Sequence, residues 1–98
     1  VYPAEVEGAI ESHPAVLACA VIGLPDEDLG AVVHAIVQLA RPIDEGELRR
    51  HVEERLVRYK VPRSFEFVWD TLKDDAGKVR RAALRAERVA ARERAKSG

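Results

Sequence analysis

The chain has 98 residues, of which 34% are charged and 47% hydrophobic, and its formal net charge is −1. This length is enough for one domain with a modest core, but it is short for an enzyme that must enclose several substrates, which favours a module over a complete catalyst. Cys19 is the only cysteine, so we expect a reduced thiol and no intrachain disulfide. The apolar runs are too short to span a bilayer and no signal peptide is visible, so we expect a cytoplasmic protein without a transmembrane segment.

Charge is distributed unevenly along the chain. Residues 1–77 contain 8 Lys and Arg against 15 Asp and Glu, whereas residues 78–98 contain 8 against 2. The basic end indicates either a solvated helix or a surface that meets phosphates or an acidic partner domain. We do not expect nucleic acid binding, because the basic end lacks interleaved aromatic residues and the acidic remainder would repel phosphates.

The first half of the chain predicts one helix and two strands. Pro3 suits the first turn of a helix, and Pro14 predicts its end, because the residue before a proline avoids the helical region. The apolar run 16–22 predicts a buried strand, and the alternating run 31–39 predicts a second strand. The glycine-bounded segment 23–30 between them is predicted to be a connection.

The second half begins with a predicted helix. Asp44 and Glu47 have the spacing of a capping box, in which the two side chains bond to each other's backbone N–H groups. The helix is predicted to extend from there to Val61-Pro62. Its buried stripe is predicted to consist of Leu48, Val52 and Leu56.

A third strand, a loop and a final helix complete the predicted elements. Aromatic residues alternate with Glu66 and Val68, which predicts a strand with an aromatic face made of Phe65, Phe67 and Trp69. Residues 70–77 are predicted to form a polar loop, and a helix is predicted from Lys78 or Val79 onward, with a frayed tail at 92–98. The apolar side of that helix is predicted to contain Ala82, Ala83, Ala86, Val89 and Ala90.

The element order is therefore helix, strand, strand, helix, strand, helix. This order predicts a small α+β domain, with helices on one side of a short, mainly antiparallel three-stranded sheet.

Gly77-Lys78 is the sharpest candidate for a chemical role. A lysine at the tip of a polar loop can extend a full positive charge on a long arm. A Gly-Lys step alone is most often an ordinary exposed lysine, and this one is not a phosphate-cradling P-loop, because the upstream glycine is absent and Val79 stands where serine or threonine is needed.

Metal binding is not expected from this sequence. The three histidines, His13, His34 and His51, are far apart and have no cysteine partner at ligand spacing. Asp74-Asp75 could be a catalytic or Mg²⁺-binding pair, but an exposed acidic turn is the simpler interpretation.

Three landmarks together resemble the C-terminal domain of the adenylate-forming superfamily, particularly its acyl-CoA synthetases. They are the segment Tyr2–Glu7 (Tyr-Pro-Ala-Glu-Val-Glu), the segment Arg58–Pro62 (Arg-Tyr-Lys-Val-Pro) and Gly77-Lys78. The resemblance covers essentially the whole chain, so residues 1–98 are expected to be a C-terminal lid domain. Val1 is expected to follow the hinge and its glycine-bearing loop, which belong to a longer protein.

The resemblance implies a two-step reaction in the complete enzyme. ATP and a carboxylic acid give an acyl-adenylate and pyrophosphate, and the acyl group then passes to coenzyme A. Lys78 matches the family's catalytic lysine and Gly77 supports its loop, while Arg58 and Lys60 are weaker candidates for facing coenzyme A. ATP and Mg²⁺ are expected to bind mainly to the partner of this lid, its own N-terminal domain, so the lid alone should be inactive.

The sequence departs from the family pattern in the loop and leaves alternatives open. Leu72 stands where the family usually has proline, and Asp74 stands where it usually has threonine. These departures weaken the expectation that the enzyme is regulated by acetylation of Lys78. The sequence of the loop is similar to that of ligases for fatty, steroid or bile-acid side chains. The complete enzyme is expected to be a bacterial acyl-CoA synthetase. Alternatives are a peptide-synthetase adenylation domain that loads a carrier protein, against which Arg80-Arg81 argues, and a non-catalytic α+β binding module.

Overall fold

The described residues form three helices and three strands, in the predicted order. The computed structural model describes residues 3–26 and 30–97. The elements, in chain order, are α1 Pro3–Glu11, β1 Val16–Asp26, β2 Gly30–Leu39, α2 Glu45–Glu53, a single 3-10 turn at Arg58–Lys60, β3 Ser64–Val68 and α3 Arg81–Ser97. The α+β class is thereby confirmed. Within the described ranges no helix is both long enough and apolar enough to cross a membrane.

The sheet has the strand order β1-β2-β3 and is mixed. β1 and β2 pair antiparallel from Val16↔Leu39 to Asp26↔Gly30, whereas β2 and β3 pair parallel from His34↔Ser64 to Gln38↔Val68. The antiparallel ladder is the longer one, as predicted. The parallel pair arises because α2 carries the chain back across the sheet before β3 begins.

The strands extend further than the sequence pattern predicts. Residues 23–26 belong to β1 instead of the predicted connection, and β2 begins at Gly30, whose φ of +78° lies in the left-handed region that glycine adopts without strain. Pro25 is tolerated because β1 is an edge strand, where a missing N–H breaks no ladder bond. The remainder of the predicted connection, residues 27–29, lies outside the described residues.

The helices lie on both faces of the sheet, so the prediction that they share one side is wrong. Alternate residues of a strand point to opposite faces. One face packs against α1 and α2 around a buried cluster that contains Val6, Ile10, Cys19, Val21, Ala35, Val37, Leu48, Val52 and Phe65. The opposite face buries Ile22, Leu24, Val32 and Ile36, against which Leu84 and Val89 of α3 pack. This second apolar face needs a cover, and α3 supplies it.

The predicted capping box of α2 is wrong, although Asp44 is the N-cap residue. Its side chain makes no capping hydrogen bond. Glu47 pairs instead with His13, with its Oε2 2.8 Å from the ring Nε2. Nδ1 of His13 accepts the N–H of Ala15, which leaves Nε2 to donate to Glu47. The Glu47 carboxylate, which a capping box would use within the helix, is therefore bonded to His13, a residue far away in the sequence.

The remaining boundaries and faces differ in detail. α2 ends at Glu53, well before the predicted end at Val61-Pro62. In its predicted buried stripe, Leu48 and Val52 are fully buried and Leu56 is partly buried. Trp69 is 61% exposed, so it does not join Phe65 in the core. In α3 the predicted apolar side is only partly correct, since Val89 and Ala90 are half-buried and the other three predicted residues, Ala82, Ala83 and Ala86, are exposed.

Arginines dock α3 against the sheet. Positions 81, 85, 88 and 92 recur every three or four residues and so lie on one face of the helix. Arg85 Nε donates to the carbonyl of Gly23 at 2.9 Å, and Arg92 donates to the carbonyl of Pro25. These bonds cover the free edge of β1, where unpaired backbone groups would otherwise remain exposed. The final helix is thus held along most of its length, and it continues to Ser97 where fraying was predicted.

Candidate functional site

Lys78 lies in the loop that connects β3 to α3. The backbone N–H of Leu72 donates to Oε1 of Gln38 at 3.1 Å, which ties the start of the loop to the end of β2. Further on, Lys73 and Val79 form an isolated antiparallel bridge that closes the loop below its tip. The Gly-Lys step is therefore at the tip of a closed turn with two defined ends.

The carboxylate of Asp74 organises the interior of this turn. Its Oδ1 accepts the backbone N–H groups of Ala76 at 2.9 Å and Lys78 at 3.0 Å, and its Oδ2 accepts Arg80 Nε at 2.6 Å. The backbone of Asp74 donates to the carbonyl of Lys78 at 2.8 Å and accepts the N–H of Gly77 at 2.9 Å. The N–H of Lys78 and, after it, the Arg80 guanidinium hold the pKa of Asp74 below its usual range.

Gly77 has a φ of +78°. Side chains with a Cβ rarely adopt this left-handed conformation, so the turn requires glycine here, although no atom of another group would touch an added Cβ. The requirement comes from the backbone and not from a lack of space.

The side chain of Lys78 is exposed. Among residues 3–26 and 30–97, no carboxylate pairs with its ammonium group, whereas the neighbouring Arg80 is paired with Asp74. Lys78 thus presents a cation on a fixed backbone with a free side chain, an arrangement suited to contacting an anion outside the domain.

The start of α3 is fixed by a buried glutamate. Arg81 donates through Nε to Oε2 of Glu7 at 2.7 Å, and Oε2 also accepts the N–H of Val21 on the edge of β1 at 2.8 Å. Glu7 is only 8% exposed, so this charged group is compensated by both donors. Because Arg81 follows Lys78 by three residues, the pair anchors the C-terminal side of the loop.

The two weaker candidates, Arg58 and Lys60, lie in the 3-10 turn before β3. Nζ of Lys60 is 3.0 Å from each carboxylate oxygen of Glu5 in α1, and this bond raises the pKa of Lys60. Arg58 is exposed and lines a cavity of about 460 Å³ together with Arg49 and Arg63.

The structure does not bring these candidates together with Lys78. The 3-10 turn precedes Ser64, the first residue of β3, and the Lys78 loop follows Val68, the last. The N–H of Arg63 bonds to the carbonyl of Val33 at one end of β2, whereas Leu72 bonds to Gln38 at the other. The two sets of cations therefore lie at opposite ends of the sheet.

The histidines and the cysteine have structural partners. Nδ1 of His34 lies 2.6 Å from the Ser64 hydroxyl, and Nε2 of His51 lies 2.7 Å from that of Ser12. Burial, followed by the nearby carboxylates, raises the pKa of the Cys19 thiol well above its usual range, so this cysteine is unreactive. The part of the chain that is described contains no group of three or more side chains able to hold a metal ion.

Sequence reasoning placed Asp74 in an acidic turn but missed its role as the acceptor that organises the loop, and it missed the Glu7–Arg81 pair. An aspartate a few residues before a glycine is a known turn signal, since its carboxylate can accept backbone N–H groups further along the chain. Glu7 and Arg81 are far apart in sequence, and nothing local indicates their contact.

Residues 5–78 match the family model described as the AMP-binding enzyme C-terminal domain. The chain belongs to this family. The match ends at Lys78 and so includes the loop that Asp74 organises, the 3-10 turn and both faces of the sheet.

Several relatives of this AMP-binding enzyme C-terminal domain are coenzyme A ligases. The 2-succinylbenzoate–CoA ligase of Bacillus subtilis (strain 168) is 46% identical over 76 residues, which are 78% of this chain and 15% of the relative. The 3-oxocholest-4-en-26-oate–CoA ligase of Rhodococcus rhodochrous is 42% identical over 80 residues, 80% of this chain and 14% of the relative.

Solved structures show the same similarity. The fatty acyl CoA synthetase of Mycobacterium tuberculosis matches with a TM-score of 0.83 and 36% identity, over 92% of this chain and 18% of that one. The o-succinylbenzoate CoA synthetase of Bacillus subtilis, in complex with its acyl-adenylate intermediate, matches with a TM-score of 0.77 and 39% identity, over 86% of this chain and 17% of that one. The chain thus spans less than one fifth of the length of these relatives.

Proposed function

We propose that this domain is the mobile lid of an acyl-CoA synthetase, and that Lys78 is its catalytic residue for acyl-adenylate formation. The observation that carries the proposal is the exposed ammonium group of Lys78, which pairs with no carboxylate of the described residues and stands on a backbone bonded to Asp74 through both its N–H and its carbonyl, in a domain of the AMP-binding enzyme C-terminal family. Its partner is then the enzyme's own N-terminal domain, which would supply the pockets for ATP and the acid.

In the first half-reaction, an oxygen of the substrate carboxylate attacks the α-phosphorus of ATP. The bond between that phosphorus and the bridging oxygen to the β-phosphate breaks, and pyrophosphate leaves with its electron pair. Negative charge accumulates on the oxygens around the α-phosphorus in the transition state. The ammonium group of Lys78 would stabilise the transition state more than the ground state, because the negative charge on these oxygens is larger in the transition state. It would act as a cation and transfer no proton.

In the second half-reaction, the sulfur of coenzyme A attacks the acyl carbon, the bond from that carbon to the AMP oxygen breaks, and the thiol proton passes to solvent. The separation of Lys78 from Arg58 and Lys60 supports a rigid-body rotation of the lid between the two steps. One end of the sheet would face the adenylate first, and the end with Arg58 and Lys60 would face coenzyme A afterwards.

This domain does not determine which carboxylic acid the complete enzyme activates. Relatives act on acids as different as 2-succinylbenzoate and a steroid side-chain carboxylate, by their names. We propose a fatty, steroid or bile-acid type substrate, and a bacterial, cytoplasmic enzyme of fatty acid metabolism. Mg²⁺ would accompany ATP, whose pocket we place in the N-terminal domain.

The test is Lys78→Ala in the full-length enzyme, with the half-reactions assayed separately. Pyrophosphate release from ATP and acid should fall by about two to three orders of magnitude, the scale for one preorganised charge contact. Thioester formation from preformed acyl-adenylate and coenzyme A should be retained. Lys73→Ala is the matched control, since Lys73 is an exposed lysine in the same loop.

Two outcomes would contradict the proposal. Equal loss in both half-reactions would mean that Lys78 maintains the lid's structure instead of acting in adenylation. No loss in either would mean that Lys78 is not a catalytic residue of the lid.

A further inference from the structure

One residue, Asp74, makes most of the hydrogen bonds that shape the Lys78 loop. Asp74 receives three hydrogen bonds on its carboxylate, from Ala76, Lys78 and Arg80, and its backbone makes two more to Lys78 and Gly77. Its carboxylate is 24% exposed, although the loop around it is largely solvated. Its neighbour Asp75 is exposed and makes none of these bonds.

These bonds act on the backbone of Lys78 and not on its ammonium group. The N–H and the carbonyl of Lys78 are both bonded to Asp74, at 3.0 Å and 2.8 Å, so the direction in which the side chain leaves the loop is fixed. The left-handed φ of Gly77 is held within the same ring of bonds. Without the carboxylate, the N–H groups of Ala76 and Lys78 would have to bond to water, and the loop would sample other conformations.

We infer that Asp74 is a positioning residue for Lys78, and that its carboxylate sets the geometry in which the lysine reaches the reacting phosphate. The inference rests on the proposed function of Lys78. Positioning matters because a displacement of about 1 Å of a catalytic group can cost about 100-fold in rate. The depressed pKa of Asp74 is consistent with a carboxylate that stays ionised and bonded at neutral pH.

The experiment compares Asp74→Ala, Asp74→Asn and Asp75→Ala in the full-length enzyme. Asp74→Ala should lower the rate of pyrophosphate release by up to about 100-fold, while thioester formation from preformed acyl-adenylate is retained. Asp74→Asn should restore most of the rate, because its amide oxygen can still accept the two backbone N–H groups. Its NH2 group cannot accept the Nε–H of Arg80, so this variant loses only the ion pair and hydrogen bond to Arg80. Asp75→Ala should behave as the unaltered enzyme.

A structural readout accompanies the rates. In Asp74→Ala, the amide hydrogens of Ala76 and Lys78 should exchange with solvent faster than in the unaltered protein. In Asp74→Asn and Asp75→Ala they should stay protected. The melting temperature should change little in all three variants, because neither Asp74 nor Asp75 belongs to the buried clusters.

The inference is overturned if Asp74→Ala adenylates at the normal rate, if it loses both half-reactions equally, or if Asp74→Asn is as slow as Asp74→Ala. These results are distinguishable from failure of the proposed function, which is decided by Lys78→Ala. If Lys78→Ala loses adenylation and Asp74→Ala does not, Lys78 is catalytic and Asp74 does not position it.

Discussion

At the scale of single residues, the loop that carries Lys78 combines a backbone requirement with a side-chain requirement. Gly77 provides a left-handed φ, and Asp74 provides the acceptor that holds the turn in place. The sequence predicted that this segment would be a polar loop with a lysine at its tip, because glycine and clustered polar residues have local meanings. It could not predict which of the two adjacent aspartates would turn inward, since both have the same chemistry and only the folded turn distinguishes them.

Gly77→Ala should destabilise the protein by about 1–3 kcal/mol, the usual cost of placing a side chain in a sparsely populated backbone region. Gly8→Ala is the matched control. Gly8 lies inside α1, also with free space around an added Cβ, and its φ is not positive, so alanine there should stabilise by about 0.5–1 kcal/mol. Urea unfolding of both variants measures the difference. Similar changes in the free energy of unfolding at the two positions would show that alanine adopts the left-handed φ of position 77 without an energetic penalty.

At the scale of elements, α3 is the clearest case in which composition did not predict every partner. Its basic residues indicated a solvated face or an external acidic surface, yet Arg81 and Arg88 bind Glu7 and Glu66 of the same domain. The spacing of arginines every three or four residues was visible in the sequence. Their destination was not, because it depends on which carboxylates and which strand edge the fold places beneath the helix.

The Glu66–Arg88 pair predicts a pH dependence of stability. Arg88 first, and His34 after it, lower the pKa of Glu66 below its usual value near 4.5. A carboxyl group whose pKa is depressed by folding contributes stability above its usual pKa and loses that contribution as the pH falls through the folded-state pKa. The free energy of unfolding should therefore decrease as the pH falls from about 6 to about 3.

The variant Arg88→Ala should flatten this dependence, since it removes the main cause of the shift. The control Arg85→Ala removes a bond to a backbone carbonyl instead of a carboxylate, so it should leave the slope unchanged. Thermal unfolding at a series of pH values measures both. An unaltered slope in Arg88→Ala would mean that Glu66 is not a main source of the pH dependence.

At the scale of the whole molecule, the sheet is buried on both faces. The cluster on one face joins α1 and α2 to the strands through residues such as Ile10 and Leu48, and the smaller cluster on the other face receives α3. With both faces packed, the Lys78 loop follows β3 and the turn with Arg58 and Lys60 precedes it. This is the arrangement on which the proposed rotation of the lid rests.

Leu48→Ala should cost about 2–5 kcal/mol in the free energy of unfolding, because Leu48 is fully buried and its removal leaves a cavity between α2 and the sheet. Leu17→Ala is the control, as this leucine of β1 is 58% exposed and its truncation should change stability by less than about 0.5 kcal/mol. Chemical denaturation of the two variants makes the comparison. A near-zero effect at Leu48 would exclude it from the core.

Local sequence patterns were enough to predict the order of the elements, the α+β class, the position of the Gly-Lys loop and much of the buried stripe of α2. These features follow from local patterns, since periodicity, proline and glycine act on their immediate neighbours. Three other features depend on the tertiary structure. α3 covers the second face of the sheet, Glu47 pairs with His13 instead of capping its own helix, and Glu7 accepts hydrogen bonds from Arg81. Each of these is a contact between residues far apart in the chain, whose partners are fixed by packing and not by sequence distance.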